Sequence, residues 1–175
     1  MGVDTKVIQC NPNEFTPKPL TAEAFAPFGD VIEANDDKNH FAINDGNTER
    51  YHDLANVDVG DGKAIVSIFR STPLAQPISL QMMERHPFGS QAFVSMTGLP
   101  YLVVVAPAGE FDVTKIEVFI AKGNQGVNYH TGTWHHYCLA LYEESDFLVV
   151  DRAGGGDNCD VVTLDGNYTI KTITN

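Results

Sequence analysis

The feature that most constrains this chain is a series of short β-type segments with no long helical stretch between them. Candidate strands are 30–33, 64–70, 91–96, 100–106, 116–120, 134–142, 147–152 and 168–173. They are rich in Val, Ile, Phe and Tyr. Gly, Asn and Asp turns separate them, such as DGK at 61–63 and KGNQG at 122–126. A parallel sheet needs crossovers of a dozen or more residues, usually helices, and no segment supplies one. The expectation is therefore an all-β fold, mainly antiparallel, built as a sandwich or barrel with one or two short helices. One helix is expected at 21–25, capped by Thr21 and ended by Pro27 and Gly29. The run YLVVVA at 101–106 is apolar on both parities, so it is covered on both faces or lines a closed interior.

A length of 175 residues suits one domain over 1–175, with 1–19 as an extended, proline-containing lead-in. The net charge of −12 repels phosphate backbones and anionic headgroups, which speaks against nucleic acid and membrane as partners. MGVDTKVIQCNPNEF has no apolar core, so no secretory signal is expected, and the apolar run 101–108 is too short to span a bilayer. Lys6 stands where a myristoylation signal needs Ser or Thr. Cys10, Cys138 and Cys159 have no paired spacing, so reduced thiols and a cytoplasmic location are expected. An acidic protein that takes an anionic substrate must also provide local cations.

Side chains able to do chemistry fall in ERYHDLA at 49–55, at Arg70, in ERHPFGSQAF at 84–93, in GVNYHTGTWHH at 126–136 and in DFLVVDRAGGGDNCD at 146–160. If 84–86 is extended, Glu84 and His86 share a face and Arg85 points the other way. A carboxylate beside an imidazole serves as an acid/base pair or as two metal ligands, and Gln91 opens the next strand and could join them. His130, His135 and His136 bring three imidazoles into seven residues, and on a strand only one of His135 and His136 faces inward. The four arginines, Arg50, Arg70, Arg85 and Arg152, all lie in or beside these segments. Each offers a planar fork for a carboxylate, or pairs with one of the 23 acidic residues. Asp151 and Arg152 point to opposite sides if their strand continues, and AGGGDNCD is a turn or a backbone loop near a ligand.

The segments FGDVIE at 28–33, INDG at 43–46, ERYHDLA, ERHPFGSQAF, GVNYHTGTWHH and DFLVVDRAGGGDNCD together resemble the ureidoglycolate lyase family, long called ureidoglycolate hydrolase. The resemblance runs from about residue 20 to 160. It implies a cupin-like β-barrel or jelly roll and a homodimer acting in allantoin and purine breakdown. The implied activity is an amidine-lyase that splits (S)-ureidoglycolate into glyoxylate and urea. Many cupins hold a metal through HxH, a Glu and a later His. Here Glu84 takes the first HxH position and Gln91 the Glu position, with His130 or His135 as the later His. The resemblance allows a divalent ion such as nickel on Glu84, His86 and His130 or His135.

Ureidoglycolate carries hydroxyl, carboxylate and ureido nitrogen on one carbon. Its cleavage needs a base for the hydroxyl proton, help for the departing urea, and a cation for the carboxylate. The sequence offers Glu84 or His86 as base and His130 or His135 as acid or ligand. Arg70 or Arg152 would clamp the carboxylate, with Gln91 orienting it, and Tyr129 and Arg50 would also reach the substrate. A metal-dependent cupin oxygenase or isomerase and a non-catalytic anion-binding barrel are the competing expectations.

Overall fold

In the computed structural model, residues 13–173 are described. In chain order the elements are β1 (Glu14–Phe15), β2 (Lys18–Pro19), α1 (Ala22–Phe25), β3 (Gly29–Ile32), β4 (His40–Ile43), β5 (Thr48–Tyr51), β6 (Lys63–Ser71), β7 (Ile78–Arg85) and β8 (Gln91–Ser95). They continue with β9 (Tyr101–Ala106), a 3-10 turn at Val113–Lys115, β10 (Glu117–Ala121), β11 (Gly126–Tyr129), β12 (Trp134–His135), β13 (Leu139–Ala140), β14 (Ser145–Ala153) and β15 (Asp160–Ile170). The fold is all-β and cupin-like, with α1 capped by Thr21 as the sequence predicts.

The larger sheet has the order β1-β15-β7-β12-β9-β10-β2, with β13 also on β9; the smaller is β3-β11-β8-β14-β6. β4 and β5 form a separate hairpin. Only β1 with β15 and β2 with β10 pair in parallel among the described strands. These two short strands sit at opposite edges of the larger sheet, yet only Thr16 and Pro17 lie between them. That link spans at most about 11 Å, whereas six strand spacings laid flat come to about 29 Å. The larger sheet must therefore curl until its edges approach, and the lead-in ties them.

β9 is buried along its whole length. Tyr101, Val103 and Val105 face a core shared with the smaller sheet and α1, including Phe25, Phe93, Phe119, Phe147 and Val149. Leu102, Val104 and Ala106 face a second core with Leu80, Met83, Trp134 and Ile170. The two-sided burial read from YLVVVA is what the strand shows.

Three differences from the sequence reading have physical causes. The expected strand 134–142 divides into β12 and β13. His135 is opposite Val105 but Leu139 is opposite Leu102, so one extra residue is accommodated between them as a bulge. β15 starts at Asp160 rather than 168, because the Asp165-Gly166-Asn167 run that resembles a turn is absorbed by a register shift between Thr163 and Tyr168. β7 was not expected as a strand at all. Its Gln, Met and Glu residues are weak strand formers, and pairing with β12 and β15 overrides that preference.

Gly29 opens β3 opposite Tyr129, and a Cβ there would lie 1.9 Å from the Asn128 carbonyl oxygen. Gly29→Ala is expected to push β3 off β11 and cost about 1–3 kcal/mol, read as a lower urea midpoint. An unchanged midpoint would show that this backbone approach is not tight.

Candidate functional site

β7 presents alternate residues to alternate faces. Met83 enters the second core, and Arg85 sits over the Trp134 ring at 4.6 Å. Glu84 is left on the face that looks toward the smaller sheet. β12 pairs with β7 and β9 at once, so His135 stands opposite both Glu84 and Val105 and shares their face. The chain then turns at Pro87, leaving His86 beside them, its ring 5.2 Å from that of His135. Glu84, His86 and His135 thus offer ligand atoms that all lie within 4.8 Å of one another.

Backbone carbonyls orient both imidazoles. His86 Nδ1 lies 2.7 Å from the Asn158 carbonyl oxygen, and His135 Nδ1 lies 3.1 Å from that of His136. A carbonyl only accepts, so Nδ1 carries the hydrogen in each neutral ring and Nε2 keeps its lone pair. Both Nε2 atoms are buried without a protein partner. Tyr129, from β11, stacks on His135 at 4.3 Å with the rings 3° from parallel. Two imidazoles and a carboxylate with ligand atoms this close form a donor set that suits a divalent transition metal.

Burial decides the charge states. It pushes the His135 imidazole down to about 3, helped by the nearby His86, so His135 is neutral near pH 7. Burial raises the Glu84 carboxyl above its ordinary range, partly offset by His86. Burial also pushes the Cys138 thiol up to about 12, so it is no nucleophile. Cys159 Sγ lies 4.0 Å from Glu84, and burial together with Glu84, Asp157 and Asp160 raises its thiol. Cys10 lies outside the described residues.

The remaining expected residues divide in two. Gln91 and Tyr129 line the same interior end; Gln91 Nε2 donates to Asp151 Oδ2 at 3.3 Å. His130 is not brought to the trio: it pairs with Asp30 at 3.1 Å near the surface. His136 is buried, but its Nδ1 turns to the Tyr137 carbonyl oxygen.

The arginines are engaged elsewhere. Arg50 lies on the exposed β4–β5 hairpin beside Phe41. Arg70 projects outward, 65% exposed, with a two-point contact to Asp146 at 2.7 and 2.8 Å. Arg85 holds Asp160 and the Gly109 carbonyl. Arg152 acts as a bolt on the outside of the smaller sheet. It donates to Asp61 and to the carbonyls of Val59 and Gly155, and a Cβ at Gly62, Gly89 or Gly154 would come within 2.6–2.9 Å of its side chain. Neither Arg70 nor Arg152 is placed to clamp a carboxylate held by the trio.

Two contributors went unassigned in the sequence. Asp151 follows Phe147 and Val149 on the buried parity of β14, a pattern that flags an inward carboxylate. Asn158, in the loop after β14, holds His86 through its carbonyl and the Phe88 N–H through its side chain. No periodicity marks it.

The model of the ureidoglycolate lyase family matches residues 12–171. The chain is 54% identical over 148 residues to the ureidoglycolate lyase of Pseudomonas syringae pv. tomato, covering 83% of this chain and 86% of that protein. It is 54% identical over 146 residues to the ureidoglycolate lyases of Pseudomonas entomophila and Pseudomonas putida, in each case covering 82% of this chain and 87% of the relative.

The shielding of His135 has a pH signature. Its value in the fold lies below the ordinary 6.5, so the unfolded chain takes up this proton first as pH falls. Its contribution to stability is intact above about pH 6.5 and is lost progressively toward pH 3, at up to about 1.4 kcal/mol per pH unit. With chelator present, wild type should lose roughly 2 kcal/mol more than His135→Asn between pH 6.5 and 4.5 in urea titrations. Superimposable profiles would show that the imidazole is not shielded.

Proposed function

The chain belongs to the ureidoglycolate lyase family, and from that premise we propose that it cleaves ureidoglycolate to glyoxylate and urea at Glu84, His86 and His135. The observation that carries this reading is the convergence of one carboxylate and two imidazoles, whose ligand atoms lie within 4.8 Å of one another inside the barrel. Glu84 is the base: its raised affinity for protons suits it to take the substrate hydroxyl proton. As the carbonyl of glyoxylate forms, the C–N bond breaks and its electron pair goes to the urea nitrogen. The proton on Glu84 then passes to that nitrogen, so the site ends as it began. His86, tethered by Asn158, accepts from the inner ureido N–H and so holds the breaking C–N bond beside Glu84, which takes the single hydroxyl proton. His135 stays neutral and offers its lone pair, so the acid role considered for it passes to Glu84. No covalent intermediate is required, and the buried, high-pKa Cys138 has no part in the chemistry.

The donor set also fits a divalent ion: Glu84, His86 and His135 would hold it, and when bound it supplies the positive charge for the substrate carboxylate that the arginines do not.

The protein is further proposed to act as a single domain and a cytoplasmic homodimer. β6 is an edge strand of nine residues whose outer face exposes Val66 and Ile68, continued by Leu148 and Val150 on β14. An open apolar edge of that length calls for cover, and a second copy would supply it. No helix among the described residues is long and apolar enough to cross a membrane.

Glu84→Gln and His86→Asn should each lower turnover at least about 100-fold with the melting temperature retained, measured as glyoxylate release coupled to a reductase. Equilibrium dialysis of untagged protein with nickel should show one bound ion per chain in wild type and weakened binding in His135→Ala. Wild-type rates in both of the first two variants would remove the trio from the chemistry.

A further inference from the structure

The interior end of the barrel holds a second polar pair that the chemistry above does not use. Phe93 is opposite Val149 and Ala92 opposite Val150, so Gln91 and Asp151 follow as neighbours on the inward face of the smaller sheet. Gln91 Nε2 donates to Asp151 Oδ2. Gln91 Oε1 and Asp151 Oδ1 are buried and have no protein partner. Tyr129 is opposite Gln91 and stacks on His135, which puts the pair in the same layer as the trio. Asp151 is nonetheless not among the residues whose ligand atoms converge within 4.8 Å.

Two buried acceptors side by side are costly unless a donor meets them, about 1–3 kcal/mol for each group left unsatisfied. None of the four arginines supplies that donor, because each is held elsewhere. The pair would repel a carboxylate. It suits a planar neutral group whose edge carries N–H bonds, and a ureido group has that edge in its terminal NH2 and inner NH.

We propose that Gln91 and Asp151 read the ureido end of the substrate, the terminal NH2 donating to Asp151 Oδ1 and Gln91 Oε1. This rests on the lyase reading above. The carboxylate and hydroxyl are thereby turned toward Glu84 and His86, and Gln91 serves the opposite end of the molecule from the carboxylate. Selection for urea as the leaving group becomes a property of the smaller sheet.

The test uses two unreactive ligands that differ at one group. N-carbamoylglycine is ureidoglycolate without the hydroxyl; N-acetylglycine puts a methyl where the terminal NH2 stands. Binding is measured by calorimetry and by competitive inhibition. Wild type should prefer N-carbamoylglycine by about tenfold or more, since the methyl leaves both acceptors unmet. In Asp151→Asn, where an amide donor replaces an acceptor, and in Gln91→Met, the ratio should fall toward one. Equal binding of the two ligands by wild type, or binding of neither, overturns the proposal without any variant. So does an unchanged ratio in the variants, or an equal loss of both ligands, which would mark the pair as structural. A protein that shows the ratio but releases no glyoxylate from ureidoglycolate keeps this assignment and loses the lyase reading. An active lyase with a ratio of one does the reverse.

Discussion

His135 is held between two strands at once, opposite Glu84 on β7 and Val105 on β9, and the site depends on that double pairing. It fixes a buried imidazole at the level where the apolar core ends. Below it Val103, Phe93 and Val149 fill the space between the sheets; beside it Tyr129 stacks on the ring. A shift of one residue in β12 would send Trp134 to the interior and His135 to the second core, since successive side chains on a strand alternate faces. The bulge between β12 and β13 lets the chain keep that register and still return to β9 four residues later. The curl of the larger sheet, imposed by the short link between β1 and β2, then closes the far core behind it.

How much of this the sequence disclosed depends on whether a property is local. The shared face of Glu84 and His86 follows from period-two alternation, and the structure shows it. Two-sided burial of β9 was equally legible in YLVVVA. The choice between His130 and His135 was not, because it turns on which strand meets β7, and pairing partners are not a local property. Partners of the arginines were hidden for the same reason: Asp146 is 76 residues from Arg70, and Asp61 is 91 from Arg152. The inward parity of Asp151 was visible after Phe147 and Val149, but an acidic residue beside an arginine reads as surface until the strand is seen to continue to Ala153.

The arginines also bear on how so acidic a chain handles an anion. With a net charge of −12 its field disfavours anions at long range. The guanidinium groups do not correct this at the site. They tie strands and loops on the outer faces, Arg152 most of all, where Gly62 and Gly89 make room for its stem and Gly154 for its guanidinium. That bolt holds the 58–62 loop and the start of the 154–160 loop to the smaller sheet. Asn158 in the latter loop orients His86, so an outward arginine reaches the site through the backbone it anchors.

The two sheets divide the work. The larger sheet brings Glu84, His86 and His135, a carboxylate and two imidazoles whose chemistry suits protons or a metal ion; the smaller brings Gln91 and Asp151, acceptors suited to N–H donors. Strands carry four of these five side chains, and His86 follows β7 directly, so their spacing is set by sheet packing rather than by mobile loops. On the proposed assignment, the C–N bond that breaks lies between the two sets, with one end of the substrate on each sheet. Phe93, Val149 and Tyr129 pack in the core from which these strands reach the site, so their packing fixes how the two sets face one another.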